Sequence, residues 1–184
     1  ELDDSAHIDL DGKSVCFTTD SYVVKPLFFN GGDIGKLAVC GTINDLAVAG
    51  ARPVAISLSL IIESGFKMDM LDAILKSISA AARESGVRVV TGDTKTVESG
   101  AADAIFINTA GIGVPIEGAE LEMANIRPGD RILINGNIGD HGMTIMSQRE
   151  GISFESQLKS DCAAVAGLTS ELLEKVDDVR FMRD

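Results

Sequence analysis

Residues 31–47 read GGDIGKLAVCGTINDLA, a glycine pair followed by an apolar run with a polar pair near its end. Asp33 stands directly before the apolar run, where its carboxylate can accept hydrogen bonds from the free N–H groups of a first helical turn. The pattern predicts a helix that begins at Ile34 and continues to about Gly50. Gly50 and Pro53 are expected to end it, because neither residue continues a helix well.

Apolar periodicity predicts the other elements of this region. Short runs of β-branched and aliphatic residues predict strands at 14–19, 54–62, 87–90 and 104–113. A second helix is indicated by apolar residues at three- and four-residue spacing, which are Met68, Leu71, Ile74, Leu75, Ile78 and Ala82. Gly86 is expected to end that helix. Strands that alternate with helices predict a mixed α/β (α+β) fold.

A stretch rich in turn residues, 115–130, marks a domain boundary, because proline and glycine punctuate it. We therefore assign residues 1–118 to an N-terminal domain and 119–184 to the first part of a second, incomplete domain. Within the second part the pattern predicts a strand at 131–135, a Gly-rich turn at 136–142 leading into a helix, a helix at 161–176 and the start of a strand at 179–182. A length of 184 residues suits one core and part of another.

Composition argues against several classes of function. The formal net charge is -12 and no Lys/Arg cluster occurs, so we expect no nucleic-acid partner. The three cysteines are far apart and form no C-x-x-C pattern, which predicts neither a disulfide framework nor a zinc site and indicates a reducing, cytoplasmic compartment. The longest apolar run, 54–62, has the length of a strand and is too short to span a bilayer, so we expect no membrane association.

Two glycine-rich stretches resemble phosphate-binding loops. The first fails as a P-loop, because only three residues separate Gly31 from Gly35 and because Leu37 follows Lys36 where a serine or threonine is required. The second, 136–142, follows a predicted strand and precedes a helix, so its backbone amides can hold an anion. The same turn also fits a plain strand-to-helix connection, and both interpretations stay open.

Three aspartates occur where predicted strands or helices meet turns, namely Asp20, Asp45 and Asp93. A hard cation such as Mg²⁺ takes carboxylate oxygens and leaves room for phosphate oxygens. Lys95, two residues after Asp93, can contact a phosphate as a point charge. Each aspartate also fits a structural role at a strand end, on a solvated helix face or in a turn. The residues alone leave a metal–phosphate site and three structural aspartates as alternatives.

Five segments, in the same order, resemble the HypE family of hydrogenase maturation proteins. They are residues 17–24, 31–47, 90–95, 107–111 and 139–142. The segment 31–47 is highly specific, whereas Gly-Asp-Thr alone is not. The resemblance covers nearly the whole chain. It implies the two-domain α/β fold shared with aminoimidazole ribonucleotide synthetase, selenophosphate synthetase and thiamine monophosphate kinase.

The resemblance also implies a site for ATP and Mg²⁺. The implied metal ligands are Asp4, Asp20, Asp45 and Asp93. The implied nucleotide contacts are Thr19, Asp20, Asn44, Asp45, Asp93, Thr94 and Lys95. Of these residues, Asp45 and Lys95 are the implied catalytic pair.

The implied activity is an ATP-dependent dehydration. ATP phosphorylates the oxygen of an S-carbamoyl group on the family's own C-terminal cysteine, and loss of phosphate leaves a thiocyanate. The thiocyanate supplies the cyanide ligand of nickel–iron hydrogenase. The implied partners are a second copy of the chain, HypF as the carbamoyl donor and the HypC–HypD complex as the cyanide acceptor.

The sequence departs from the family pattern at both ends. The N-terminal Gly-rich segment and the C-terminal cysteine are absent, and Cys162 does not take the place of that cysteine. We therefore expect this chain alone to be inactive in the natural reaction. Two other functions stay open, namely a small-molecule kinase of the same superfamily and a non-catalytic dimerisation or scaffold module. Binding of Mg²⁺–ATP separates both enzymes from the scaffold.

Overall fold

The structure of the protein is a computed structural model that describes residues 3–152 and 158–184. Its strands are β1 Ala6–Leu10, β2 Lys13–Tyr22, β3 Phe28–Phe29, β4 Gly32–Asp33, β5 Ala51–Glu63, β6 Arg88–Val97 and β7 Ile105–Pro115. Its helices are α1 Ile34–Val48, α2 Met68–Glu84, α3 Asp140–Glu150 and α4 Ala166–Lys175, with a 3₁₀ turn at Met123–Asn125. The predicted mixed α/β fold is confirmed.

Five strands form the main sheet in the spatial order β1-β2-β7-β5-β6, and β3 pairs with β4. Neighbouring strands run antiparallel except for β5 and β6, which are parallel. The parallel pair is joined by α2, because parallel neighbours need a crossover connection. The first helix, α1, contacts β2, β5, β7 and α2, so both helices lie on one side of the sheet.

The core lies between the sheet and these two helices. Its large side chains that are essentially inaccessible to solvent include Ile34, Ile43, Leu46, Ile56, Ile74, Ile105 and Ile107. Burial of each such side chain contributes about 1.5–3 kcal/mol. The core thus holds α1 firmly against the sheet, which fixes the positions of the polar residues that α1 carries.

The predicted N-cap of α1 is confirmed. Asp33 Oδ1 accepts hydrogen bonds from the N–H groups of Gly35 at 2.7 Å and Lys36 at 3.2 Å. The helix ends at Val48, close to the predicted position. Pro53 has a different role from the predicted one. It lies inside β5 at a shift in register, where a residue without an N–H group is tolerated.

The strands of the first region are longer than the sequence indicated. The strand predicted at 87–90 continues through Asp93 and Lys95, because β5 pairs with β6 along most of its length. Asp93 is therefore a mid-strand residue, and its predicted position in a turn is wrong. The β1–β2 hairpin was not predicted, although Asp11-Gly12 is a typical turn signal and both residues have positive φ.

The region after residue 118 departs most from the prediction. No strand forms at 131–135 or 179–182 among the described residues, so both predicted strands are wrong. The reason is the lack of a pairing neighbour in the described chain, and the side chain of Ile132 is 90% exposed. The helix predicted at 161–176 is shorter and corresponds to α4. The division into domains at residue 118 stays a prediction.

No helix in the described part of the chain combines the length and the apolar character that a membrane span requires.

Candidate functional site

Three carboxylates meet beside the C-terminal half of α1. Asp4 precedes β1, Asp45 lies in α1 and Asp184 follows α4, and one oxygen of each lies within 4.8 Å of the others. Asp20, in β2, is close enough for its charge to act on Asp45 and Asp184. The structure thus brings together two of the four predicted metal ligands, Asp4 and Asp45, with Asp20 nearby, and adds Asp184, which the sequence did not indicate.

Hydrogen bonds fix the position of Asp45. Thr18 Oγ1 lies 2.9 Å from Asp45 Oδ2 and also 2.9 Å from the backbone oxygen of Asp4, so its proton can be donated to either acceptor. Ser5 Oγ donates to the backbone oxygen of Asp45 at 3.0 Å. On the other side of the cluster, Arg183 Nη2 pairs with Asp4 Oδ1 at 3.0 Å. Two segments distant in sequence are therefore bound to the same turn of α1.

The electrostatics of the cluster favour a cation. Burial raises the pKa of Asp45 to about 7, the hydrogen bond from Thr18 opposes the rise, and the charges of Asp184, Asp20 and Asp4 add to it. Burial, and then the charge of Asp4, also raises the pKa of Asp184. The cluster thus retains a proton near neutral pH unless another positive charge replaces it. Carboxylate oxygens from separate segments are ligands that suit Mg²⁺, so this donor set fits the ion.

A cavity of about 470 Å³ adjoins the cluster at Asp4. Its lining includes the end of α1 at Val48, the connection after β7 at Leu121, and Phe181. The volume lies in the range of small-molecule sites. Because Asp3, Glu120 and Glu122 also line the cavity, an anionic ligand would need bound cations to enter it.

Asp93 and Lys95 form a separate, exposed pair on β6. Their side chains lie 2.9 Å apart, at Lys95 Nζ and Asp93 Oδ2, and both are more than half exposed. The hydrogen bond from Lys95, followed by the backbone N–H of Thr94, holds the pKa of Asp93 below its usual value. In the unliganded chain the charges of Asp93 and Lys95 therefore neutralise each other.

The sheet separates this pair from the carboxylate cluster. Asp20 pairs with Thr109 in a row that faces α1, whereas Asp93 pairs with Ser59 in a row on the opposite face. Strands β7 and β5 lie between β2 and β6, so the separation is about 14 Å at about 4.8 Å per strand. Asp20 and Asp93 of one chain therefore cannot bind the same metal ion.

The other predicted nucleotide contacts already have partners within the chain. Thr19 Oγ1 donates to the backbone oxygen of Thr109 at 3.0 Å. Asn44 binds the segment before α4, with its amide 3.0 Å from the oxygen of Ala163 and its oxygen accepting from Val165 N. In this structure Asn44 has a structural role, and its assignment to the nucleotide stays a prediction.

Comparison with known proteins shows the family of this chain. Residues 2–115 match the model of the family described as AIR synthase related protein, N-terminal domain. The chain belongs to this family. A curated relative, carbamoyl dehydratase HypE of Azotobacter vinelandii, is 52% identical over 184 residues, covering 100% of this chain and 54% of the relative. The chain thus spans about half the length of this curated relative.

Solved structures agree with this placement. A crystal structure of a HypE–HypF complex matches with a TM-score of 0.93 and 50% identity over 99% of this chain and 59% of that chain. HypE in complex with ATP matches with a TM-score of 0.90 and 48% identity over 100% of this chain and 54% of that chain. The predicted resemblance to HypE is confirmed. Thiamine monophosphate kinase of Aquifex aeolicus, at 15% identity and a TM-score of 0.68, shares the fold alone.

Sequence reasoning missed three contributors to the cluster. Thr18 had a usable signal, since it precedes Asp20 by two residues and must share its face of β2. Ser5 and Asp184 had none, because their positions depend on contacts between segments far apart in the chain.

Proposed function

We propose that this chain is the ATP-binding part of a carbamoyl dehydratase that makes the cyanide ligand of nickel–iron hydrogenase. The observation that carries the proposal is the meeting of Asp4, Asp45 and Asp184 within 4.8 Å beside a cavity of ligand size. The name of the Azotobacter vinelandii relative and the ATP bound to a similar solved structure support the same activity.

The proposed reaction converts a carbamoyl oxygen into a leaving group. Transfer of the γ-phosphoryl group of ATP forms an O–P bond to that oxygen and breaks the bond to ADP. Phosphate then leaves with the carbamoyl oxygen, the nitrogen loses both its protons, and a C≡N bond results. Bound Mg²⁺ would neutralise the charge of the phosphates. Asp4, Asp20 and Asp45 would hold the ion, and Lys95 would contact a phosphate oxygen.

A homodimer is part of the proposal, because the described residues of the chain leave one face of the main sheet uncovered. We call this apolar surface the open face, and its members are Ile8, Leu10, Phe17, Ile112 and Val114. Phe17 pairs directly with Ile112, and their side-chain exposures are 38% and 45%. A contiguous apolar patch of this kind favours a protein interface, and burial in a symmetric dimer would remove it from water.

The dimer also offers a way to combine the two separated acidic groups. Asp93 and Lys95 lie on the same side of the sheet as the open face, whereas Asp45 lies on the helix side. We propose that each nucleotide site takes Asp45 from one subunit and Asp93 with Lys95 from its partner, which would reach the cluster around the edge strand β1 that Asp4 precedes. The ion pair between Asp93 and Lys95 would then break, so that Asp93 contacts the metal and Lys95 contacts a phosphate oxygen.

Replacing Phe17 with glutamate is expected to convert the dimer to monomer, because it introduces a charge into the apolar contact. We expect the dimer dissociation constant to rise at least about a hundredfold, equivalent to about 2.7 kcal/mol. Sedimentation equilibrium measures the change. Met68→Glu is the matched control, since Met68 is 74% exposed on α2, away from the open face. A wild-type chain that sediments as a monomer would contradict the dimer.

The remaining partners follow from the proposed reaction. HypF would supply the carbamoyl group, and its relevance is supported by the solved HypE–HypF complex. The HypC–HypD complex would accept the cyanide. A cytoplasmic location is part of the same proposal, and the three free cysteines of the described chain suit a reducing compartment.

The proposal predicts that the chain binds ATP only in the presence of a divalent cation. Calorimetric titration with ATP should give heat of binding with Mg²⁺ and none in excess EDTA. AMP with Mg²⁺ is the control ligand, since it lacks the phosphates that the ion would bridge. If ATP binds equally well with and without Mg²⁺, the proposed metal site is wrong. If ATP binds in neither condition, the result favours the scaffold function.

A further inference from the structure

One side of α1 binds the segment that leads into α4. Asn44 holds this segment through Ala163 and Val165, at 3.0 and 2.9 Å. Further back along the same segment, Ser160 N donates to the backbone oxygen of Asn30 at 2.9 Å. Cys162 therefore lies between two anchored points and is held against α1.

The partner of Cys162 on α1 is Cys40, which lies one helical turn before Asn44. The Cys162 thiol donates a hydrogen bond to the sulfur of Cys40, and this bond, with the nearby charge of Lys36, holds the pKa of Cys40 below its usual value. Cys40 is 4% exposed, so the oxidant that reaches it must be as small as a peroxide, and Cys162 is half-buried. The two side chains are thus neighbours on the contact between α1 and this segment, and the lowered pKa of Cys40 favours the thiolate form that reacts with oxidants.

The third cysteine provides an internal comparison. Cys16 lies in β2, its sulfur is 3.5 Å from Nδ1 of His7, and burial raises its pKa. It is fully buried, and among the described residues its sulfur is hydrogen-bonded to His7 and to neither of the other cysteines. The proposed nucleotide site uses none of the three thiols.

We propose that Cys40 and Cys162 are a redox-active pair that a peroxide converts to a disulfide, which ties α1 covalently to the segment before α4. The Cys40 thiolate attacks a peroxide oxygen, so that an S–O bond forms and the O–O bond breaks, releasing hydroxide. Cys162 sulfur then attacks Cys40 sulfur, so that the S–S bond forms and the S–O bond breaks. Water leaves with the Cys162 proton, sulfur has been oxidised and peroxide reduced.

The bridge would make a reversible contact permanent. It would join residues 122 positions apart (162 − 40 = 122), next to the helical turn that carries Asp45. A small thiol such as dithiothreitol would restore the open form by exchange. The inference does not depend on the proposed nucleotide site, because the pair reacts without ATP.

The test treats the whole chain with hydrogen peroxide and counts free thiols after denaturation. We expect two of the three thiols to be lost together, with a mass decrease of two hydrogens. Proteolysis should then give one disulfide-linked peptide pair that joins Cys40 to Cys162. Dithiothreitol should reverse each of these changes. Cys162→Ser should abolish the cross-link, whereas Cys16→Ser should leave it unchanged. The wild-type measurement needs no variant to fold.

Three outcomes would overturn the inference. They are retention of all three thiols, a bridge that includes Cys16, and bridges that join separate chains.

Discussion

Replacing Asp45 with asparagine is expected to stabilise the unliganded protein while weakening its Mg²⁺-dependent binding of ATP. The carboxylate lies among three other acidic groups, and its pKa is raised to about 7, so the charged form is unfavourable in the folded chain. Asparagine keeps an oxygen that can accept the hydrogen bond from Thr18 but carries no charge. The same substitution removes a ligand of the proposed metal.

The expected sizes follow from these causes. Relief of repulsion should contribute about 1 kcal/mol, after a discount for solvent screening. In a chain of this length that raises Tm by about 2–4 °C. Affinity for ATP with Mg²⁺ should fall at least about tenfold. Differential scanning calorimetry and titration with ATP measure the two effects on the same sample.

The stabilising effect should depend on pH. The pKa of Asp45 rises from an ordinary value of 3.8 in the unfolded chain to about 7 in the folded chain, so the unfolded chain loses its proton first as pH rises. Stability of the wild type therefore falls between these values, and the Tm advantage of Asp45→Asn should grow from about pH 4 and level off above about pH 7. Asp72→Asn, on the exposed face of α2, is the control and should show no such growth. A variant that loses stability at pH 8 would contradict the account of the cluster.

Mixing two inactive variants is expected to restore about a quarter of the ATP sites. Asp45→Asn and Asp93→Asn should each bind ATP with Mg²⁺ at least about tenfold more weakly than the wild type. In a mixed dimer, one site contains both substitutions and the other contains neither. Random reassociation makes about half of the dimers mixed, so about a quarter of all sites are intact.

The measurement is a titration of ATP after the two variants are unfolded together and refolded. The matched control carries Phe17→Glu in both chains, which should prevent both dimerisation and recovery. A mixture that binds no better than either variant alone would show that Asp45 and Asp93 do not act across a dimer.

Local signals in the sequence were sufficient for the elements that local interactions form. The cap at Asp33 and the apolar spacing of α1 and α2 lie within a few residues of the bonds they predict, and these elements formed close to the predicted limits. The face of the sheet on which Asp93 lies could not be predicted, because it depends on the register of β6 against β5.

In the candidate site, too, local features could be predicted from the sequence and long-range contacts could not. Asp20 and Asp45 could be selected from sequence, since Asp20 ends a predicted strand and Asp45 lies within an apolar run. The approach of Asp4 and Asp184 could not, because it results from contacts between segments that are 180 positions apart (184 − 4 = 180). The predicted strand at 131–135 failed for a related reason, since a strand needs a neighbour and periodicity does not supply one.

The most direct test of the site is to locate the metal. Crystals of the chain grown with ATP and Mn²⁺, which replaces Mg²⁺ and scatters anomalously, would reveal the ion as a peak in the anomalous difference map. We expect a peak at about 2–2.6 Å from a carboxylate oxygen of Asp45, in contact with phosphate oxygens. Bound ATP whose metal peak lies away from Asp4, Asp20 and Asp45 would contradict it.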